Sequence, residues 1–347
     1  MSQQNKTAKT SGLKSDDLIV ITGAGGFIGG SLARYFHDQG FTRIRGVDKK
    51  PLPEWYQHVS GVESLCLDVS DPENCEQACE GAVEVYNLAA DMGGMGFIER
   101  FRIECLRSIL INTHMIEAAW RAGAQRYFFS SSACAYNTLL QKDPNCRALK
   151  EADAYPAMAE RGYGWEKLVS EMFCQEYTAE RGLKTAIARF HNVYGPMGTW
   201  CGGREKAPAA ICRKVIEAKD ARTGKIEIWG DGTQVRSFMF IDDCLKGIDM
   251  ITHCEALNAT PINLGSAEFV TINELVDIAE KIGEVKLKRN YDLNAPKGVA
   301  GRNSDNTMIK EILGWEPNTP LRNGLAKTYA WIEQQFHDRK AGKRIVE

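Results

Sequence analysis

The stretch from Asp17 to Gln39 limits the possible folds more than any other part of the chain. Asp17-Leu18-Ile19-Val20-Ile21-Thr22 is a short apolar run, β-branched at its centre, and it ends in Gly23. Gly23, Gly26 and Gly29 then space a Gly-x-x-Gly-x-x-Gly turn, and a helical pattern follows from Ser31 to Gln39. Each glycine has its own physical use. The first permits a tight turn, the second lets backbone approach a pyrophosphate, and the third lets the helix pack close on the sheet. Free N–H groups at the helix start complete an anion site. Three glycines alone say little, because many loops hold as many. With a strand before them and a helix after, they predict a dinucleotide site.

The next segments extend this pattern. Arg43 to Val47 reads as a second strand and ends in Asp48, close to the ~20-residue spacing at which an acid meets an adenosine ribose. A carboxylate there repels a 2′-phosphate and favours NAD over NADP, while Lys49 and Lys50 pull the other way. The competing reading of Asp48 is an ordinary strand-end turn residue. Ser64 to Val69 and Val83 to Ala90 read as a third and a fourth strand. Asp68 then faces the adenine edge or is a plain turn acid. The fourth strand runs into Asp91-Met92-Gly93-Gly94-Met95-Gly96, which is either a loop giving backbone access to a ligand or a flexible turn. A long helical pattern from Ile98 to Ala122 leads to a fifth strand at Arg126. This alternation predicts an α/β fold: a Rossmann-type doubly wound parallel sheet with a smaller C-terminal α/β substrate lobe. Residues 1–16 read as a polar tail, 17–190 as the cofactor-binding domain and 191–347 mainly as the substrate lobe, with some later segments returning to the first domain.

The fifth strand carries the chemistry. Phe128-Phe129-Ser130-Ser131-Ser132-Ala133-Cys134 runs from apolar residues into hydroxyl and thiol groups at the end where open sheets bind ligands. Alternation along an extended chain predicts Ser132 and Cys134 on one face. Downstream, Tyr163 and Lys167 are four apart on a predicted helix and share a face. A free phenol, with a pKa of about 10, is a poor base at neutral pH, and a neighbouring ammonium is expected to lower it. Alone, Tyr-x-x-x-Lys is a very weak motif. The glycine turn and the serine strand upstream give it force. His191 reads as a hydrogen-bonded structural residue rather than a base. Arg236 and Arg302 are phosphate candidates, since guanidinium groups bind such anions bidentately, and an exposed salt bridge is the competing reading of Arg236. Thr271 with Glu274 forms a capping box opening a helix, and Leu321 to Lys340 reads as a final helix.

Composition excludes other classes. A formal net charge of -2 without a basic run gives no pull toward nucleic acid. No apolar run approaches the ~18 residues of a membrane span, and the polar first residues lack a signal core. Eleven cysteines without a disulfide-like framework or metal-ligand spacing read as reduced thiols of a cytoplasmic protein that holds no metal.

Taken together, the glycine turn, the serine strand and Tyr163-Gly164-Trp165-Glu166-Lys167 resemble the extended short-chain dehydrogenase/reductase family, in its nucleotide-sugar branch of NAD-dependent epimerases and dehydratases. The resemblance runs from about Asp17 to about Gln335. It implies that Ser132, Tyr163 and Lys167 form the catalytic set, and that Gly23, Gly26, Phe27, Ile28, Gly29, Asp48, Asp68, Leu88 and Ala89 join Tyr163 and Lys167 around NAD. Such enzymes oxidise a sugar hydroxyl, usually at C4, and the ketone makes the C3 and C5 hydrogens acidic. Moving those protons needs an acid and a base. Cys134, a thiol that its surroundings can tune, and Lys206 are the candidates. A 4,6-dehydratase would need a carboxylic acid beside Ser132, and Ser132-Ala133-Cys134 has none.

Longer runs are similar to the family's 3,5-epimerising members: Asp91 to Phe97, Arg189-Phe190-His191-Asn192, Gly202 to Ala210 and Gly301 to Asn306. They imply a homodimer that converts GDP-mannose to GDP-L-galactose, with GDP-L-gulose as a side product. Gly93, Ser132, Cys134, Asn192, Glu205, Lys206, Ala207, Lys214, Gln234, Arg236 and Arg302 would hold that substrate. The chain departs from the family at Ala135-Tyr136-Asn137, where a proline usually follows the tyrosine. Two alternatives remain at this stage. One is a 4-epimerase of a UDP-sugar or another nucleotide sugar, in which Cys134 only packs. The other is a dinucleotide-sensing protein on the same scaffold.

Overall fold

The computed structural model describes residues 12–143, 145–295 and 298–346. Its first half alternates strand and helix: β1 (Ile19–Thr22), α1 (Phe27–Asp38), β2 (Ile44–Asp48), β3 (Glu63–Cys66), α2 (Pro72–Cys79), β4 (Glu84–Asn87), α3 (Met95–Arg100), α4 (Arg102–Arg121), β5 (Arg126–Ser132), α5 (Tyr163–Arg181) and β6 (Lys184–Phe190). The second half holds β7 (Val193–Tyr194), α6 (Ala207–Asp220), β8 (Lys225–Trp229), β9 (Val235–Ser237), β10 (Met239–Phe240) and α7 (Ile241–Thr252). It ends with β11 (Pro261–Leu264), β12 (Phe269–Thr271), α8 (Ile272–Ile282), β13 (Lys288–Asp292), β14 (Gly301–Arg302), α9 (Thr307–Leu313) and α10 (Leu321–Lys340).

Seven parallel strands form the central sheet in the order β11-β6-β5-β4-β1-β2-β3. The chain winds one way from β1 and the other way from β4, so the switch point falls between these neighbours, where such sheets open a ligand crevice. All four residues of β1 and of β4 are buried, as a strand covered on both faces requires. β11 comes from late in the chain and forms one edge of the sheet. Beside the sheet, β9 pairs antiparallel with β12 and parallel with β14, and the latter register sets Arg302 opposite Arg236.

Buried polar contacts tie the layers together. Arg189 on β6 forks onto Glu171 of α5, with Nε at 2.9 Å and Nη2 at 2.7 Å, and Ser131 of β5 donates to the same carboxylate. Removing one partner of such a buried pair typically costs ~3–5 kcal/mol, so this fork pins the ends of β5 and β6 to the helix that carries Tyr163.

Two expectations change. The helical pattern from Ile98 to Ala122 forms two helices, α3 and α4, with a break at Phe101, whose backbone leaves the helical region at φ -116° and ψ 52°. There the Phe101 ring lies 4.9 Å from that of Phe97, tilted by 32°, and Arg102 packs against Gly162, where a Cβ would lie 3.1 Å from the Arg102 carbonyl oxygen. The third strand stops at Cys66, because Asp68 instead accepts from Ser70 N at 3.0 Å and turns the chain. The capping box at α8 forms as read: Thr271 accepts from Glu274 N at 3.0 Å and Glu274 accepts from Thr271 N at 2.7 Å.

Candidate functional site

A cavity of about 950 Å³ opens at the carboxyl ends of β1 and β4. Its floor is the glycine turn. Gly23 sits at φ +71°, and a Cβ on Gly29 would lie 2.3 Å from the Gly23 carbonyl oxygen, so any side chain there would push α1 off the turn. No side chain caps α1, and its first N–H groups are left for a ligand. Asp48 closes the turn, accepting from Gly25 N and Lys50 N, each at 3.0 Å. Phe27, Ile28, Asp68, Leu88, Ala89 and Gly93 also line this space. Burial raises the Asp68 carboxyl, but hydrogen bonds from Ser70 and the charges of Lys49 and Arg107 outweigh it and hold the group below its usual range.

Ser132, Tyr163, Lys167 and Lys206 reach the same cavity. Tyr163 opens α5, and Ser132 ends β5 within hydrogen-bonding reach of the phenol. Lys167 is buried, 3.3 Å from Glu166 Oε1, and its ammonium makes no hydrogen bond to the protein among the described residues. The expected lowering of the phenol by Lys167 is not what the structure gives. Burial pushes Tyr163 well above its ordinary value, with the charges of Glu166 and Cys134 adding to it and Ser132 opposing. The reason is local: Glu166 faces Lys167 directly, while the ammonium lies 5.4 Å from the centre of the tyrosine ring. An unspent buried ammonium beside a glycine cradle fits a dinucleotide that brings hydroxyl groups and phosphates of its own.

Cys134 is placed differently from its expectation. β5 ends at Ser132, and Ala133–Ala135 form a 3₁₀ turn whose first N–H groups are capped by Ser132, which accepts from Cys134 N at 3.2 Å. Strand alternation therefore does not relate the two side chains. The thiol is buried in a cluster with Phe97, Ile98, Cys105 and Tyr163, and Arg302 Nη1 donates to Sγ at 3.3 Å. Burial and Glu160 push it up to about 11, against Arg302 and Ser132. Burial pushes the Lys206 amine down, while Cys134 lies close enough to oppose that and Arg302 close enough to add to it. Arg236, opposite Arg302, is lowered to about 10 by burial and by Arg302, with Glu160 and Cys134 acting against them.

The remaining predicted residues fall into separate groups. Asn192, at φ 33°, donates to Ser237 O at 3.1 Å. Glu205 pairs with Arg213 at 2.9 Å, and Ala207 begins α6. Lys214 donates to Glu227 O at 3.0 Å, and Gln234 donates to Trp229 O at 3.1 Å, which gathers both around the half-exposed Trp229. Cys134, Asn192, Glu205, Ala207, Lys214, Gln234, Arg236 and Arg302 do not line the main cavity. His191 is structural, as read: Nε2 donates to Asn263 Oδ1 at 2.8 Å, and burial pushes the ring down to about 4. Asn137 accepts from Leu139 N at 2.9 Å and caps the next turn.

Three contributors escape a reading of the sequence. Glu160 reaches Arg302 at 3.2 Å. Gln141 accepts from Arg302 Nε at 2.6 Å. Arg344, Ile345 and Val346 return to the cavity wall, where Arg344 donates to Trp55 O at 2.9 Å and Val346 O accepts from Trp200 Nε1 at 2.6 Å. None of these lies in a motif, and only the lone carboxylate three residues before Tyr163 was available as a signal.

A parallel sheet with a glycine-cradled crevice and a Ser–Tyr–Lys set at its mouth defines an oxidoreductase-like sugar epimerase scaffold, and residues 19–265 match the NAD dependent epimerase/dehydratase family, to which this chain belongs. More narrowly, it is 44% identical over 324 residues to the GDP-mannose 3,5-epimerase of Arabidopsis thaliana, covering 93% of this chain and 84% of that one. GDP-mannose 3,5-epimerase 1 of Oryza sativa subsp. japonica is 43% identical over 323 residues, covering 93% and 83%. Among solved structures, UDP-glucose 4-epimerase of Thermotoga maritima with UDP-glucose shares the fold, with a TM-score of 0.80, 22% identity and coverage of 92% and 99%.

Proposed function

We propose that this chain holds NAD in the glycine-floored cavity and epimerises GDP-mannose at C3 and C5 to GDP-L-galactose, with GDP-L-gulose as a side product. Gly23, Gly26, Phe27, Ile28, Gly29, Asp48, Asp68, Leu88 and Ala89 line the cofactor side, and Lys167 offers its free N–H groups there. When bound, NAD supplies reversible removal of hydride from the sugar's C4. Tyr163, oriented by Ser132, takes the C4 hydroxyl proton as the ketone forms and returns it later. The ketone acidifies the hydrogens on C3 and C5, which Cys134 and Lys206 exchange on opposite faces. Arg302 steadies the sulfur's negative charge. Gly93, Asn192, Glu205, Ala207, Lys214, Gln234, Arg236 and Arg302 hold the nucleotide sugar. In this reading residues 17–190 are mainly the cofactor domain and 191–347 mainly the substrate lobe.

The observation that carries the proposal is Lys206 in the wall of the Ser132–Tyr163–Lys167 cavity, with Cys134, bonded to Arg302 at 3.3 Å, in the same buried cluster as Tyr163. Incubation with GDP-mannose in heavy water is expected to place deuterium at C3 and C5 of the product. Product inverted only at C4, with no solvent deuterium, would instead identify a 4-epimerase and sink the proposal.

The active form is proposed as a homodimer in the cytoplasm. Ile103, Leu106 and Leu110 form one exposed apolar face of α4, with Ile103 72% exposed, and Met172 and Phe173 are exposed on α5. A second copy of the same helix pair would cover them. All eleven cysteines are free, and no helix among the described residues is long and apolar enough to cross a membrane. Sedimentation equilibrium is expected to give twice the 38.6 kDa chain mass and to fall to a single chain in Ile103→Asp. A monomeric wild-type protein would refute the dimer.

A further inference from the structure

Asp48 is followed by Lys49 and Lys50, and these side chains pull opposite ways on an adenosine ribose. A dinucleotide on a glycine turn of this kind brings its ribose to the acid at the end of the second strand. A 2′-phosphate there is repelled by the carboxylate and favoured by free ammonium groups. Asp48, Lys49 and Lys50 all line the main cavity, so the balance depends on what each is bonded to. Asp48 is fixed in place by the N–H groups of Gly25 and Lys50, and a Cβ on Gly25 would lie 2.9 Å from the Asp48 Cγ.

Both ammonium groups are engaged elsewhere. Lys49 Nζ donates to Asp91 Oδ2 at 2.8 Å, which joins the end of β2 to the loop after β4, with β1 between them. Asp91 is itself held: its backbone N donates to Ser108 Oγ at 3.1 Å, and Arg204 Nη1 lies 3.9 Å from Oδ1. Lys50 Nζ lies over the Tyr56 ring, 4.1 Å from its centre. That ring is anchored from two sides, since Tyr56 N donates to Gly25 O at 3.1 Å and the hydroxyl is 2.9 Å from Thr199 Oγ1. Arg344, a further cation in the cavity wall, donates to Trp55 O at 2.9 Å. The Lys49–Asp91 pair is partly exposed and weak by itself. It matters because a Lys49 turned toward a phosphate would leave the Asp91 carboxylate without its nearest cation, beside a new negative charge.

We propose that Asp91 and Tyr56 are specificity-determining residues. They draw Lys49 and Lys50 off the ribose edge and leave the Asp48 carboxylate to face it, so that the site takes NAD in preference to a dinucleotide bearing a 2′-phosphate. This rests on the reading of the glycine-floored cavity as the dinucleotide site.

The test is competition between the two dinucleotides for the full-length protein. The protein is equilibrated with known mixtures of NAD and NADP at low ionic strength and freed of unbound nucleotide by rapid gel filtration. The dinucleotides it retains are then released and counted by chromatography. Asp91→Asn is expected to raise the bound NADP:NAD ratio about fivefold, the upper range for one exposed ion pair. Tyr56→Leu is expected to raise it by a similar factor, and the two together about twentyfold. Adding Lys49→Gln to Asp91→Asn should return the ratio to the wild-type value, because the freed cation is gone. Tyr56→Phe keeps the ring and should change the ratio little. Asp91→Ser carries the same expectation as Asp91→Asn should that variant fail to fold. A ratio unchanged in both Asp91→Asn and Tyr56→Leu overturns the assignment. So does a gain in Asp91→Asn that persists without Lys49, or one in Tyr56→Phe as large as in Tyr56→Leu. Failure of the underlying reading would show separately, as wild-type protein that retains neither dinucleotide.

Discussion

Replacing Tyr163 with phenylalanine is expected to lower turnover about a thousandfold while the fold and the affinity for NAD change far less. The phenol oxygen is the only atom removed, and it lies within reach of Ser132 at the mouth of the cavity. Positioned proton transfer typically contributes ~10²–10⁴-fold, and here the first step cannot proceed without an acceptor for the sugar's hydroxyl proton. The aromatic ring keeps its packing, so circular dichroism should match the wild type. Ser132→Ala is expected to lose less, because it removes one partner of the phenol and not the phenol itself. The phenol's raised proton affinity gives the pH direction: the resting group stays protonated through neutral pH, and turnover should rise as the solution becomes alkaline. Tyr163→Phe turning over within tenfold of wild type would remove the tyrosine from the mechanism.

Cys134→Ser should separate the two halves of the reaction. A hydroxyl is a far weaker acid than a thiol, so serine cannot give or regain a proton at the sugar carbon on the same timescale. Exchange of deuterium from heavy water into C3 and C5 is expected to fall ~10²–10³-fold, the share usually carried by one acid–base group. The transient keto sugar should still form, because Ser132, Tyr163 and Lys167 in the main cavity are all left in place by the substitution, and borohydride trapping would detect it. Loss of trapping together with exchange would mean that Cys134 supports the C4 step or the fold instead. The turn at Ala133–Ala135 is held by backbone and Ser132 contacts, so the substitution should leave it in place.

The sequence carried what depends on near neighbours. The glycine turn, the strands on either side of it, the capping box at Thr271 and the helical spacing of Tyr163 and Lys167 are all set by conformational limits and hydrogen bonds spanning a few residues. They survive in the structure almost as read. Where local pattern was carried too far, it misled. Strand alternation put Ser132 and Cys134 on one face, but the strand had already turned. A single helical period joined α3 and α4 across Phe101, where the backbone leaves the helical region and Arg102 comes close to Gly162. The spacing of Tyr163 and Lys167 said nothing of Glu166, which faces the lysine in a buried site.

What the chain's order determined alone is a parallel sheet, a dinucleotide turn and the side chains available for moving hydride and protons. What only the folded molecule decided is which charges meet. Arg302 lies 168 residues from the thiol it touches, and Glu160 and Gln141 complete its bonds. The proton affinity of a sulfur depends on burial and on charges a few ångströms away. Those distances come from packing of remote elements, and no spacing along the chain encodes them.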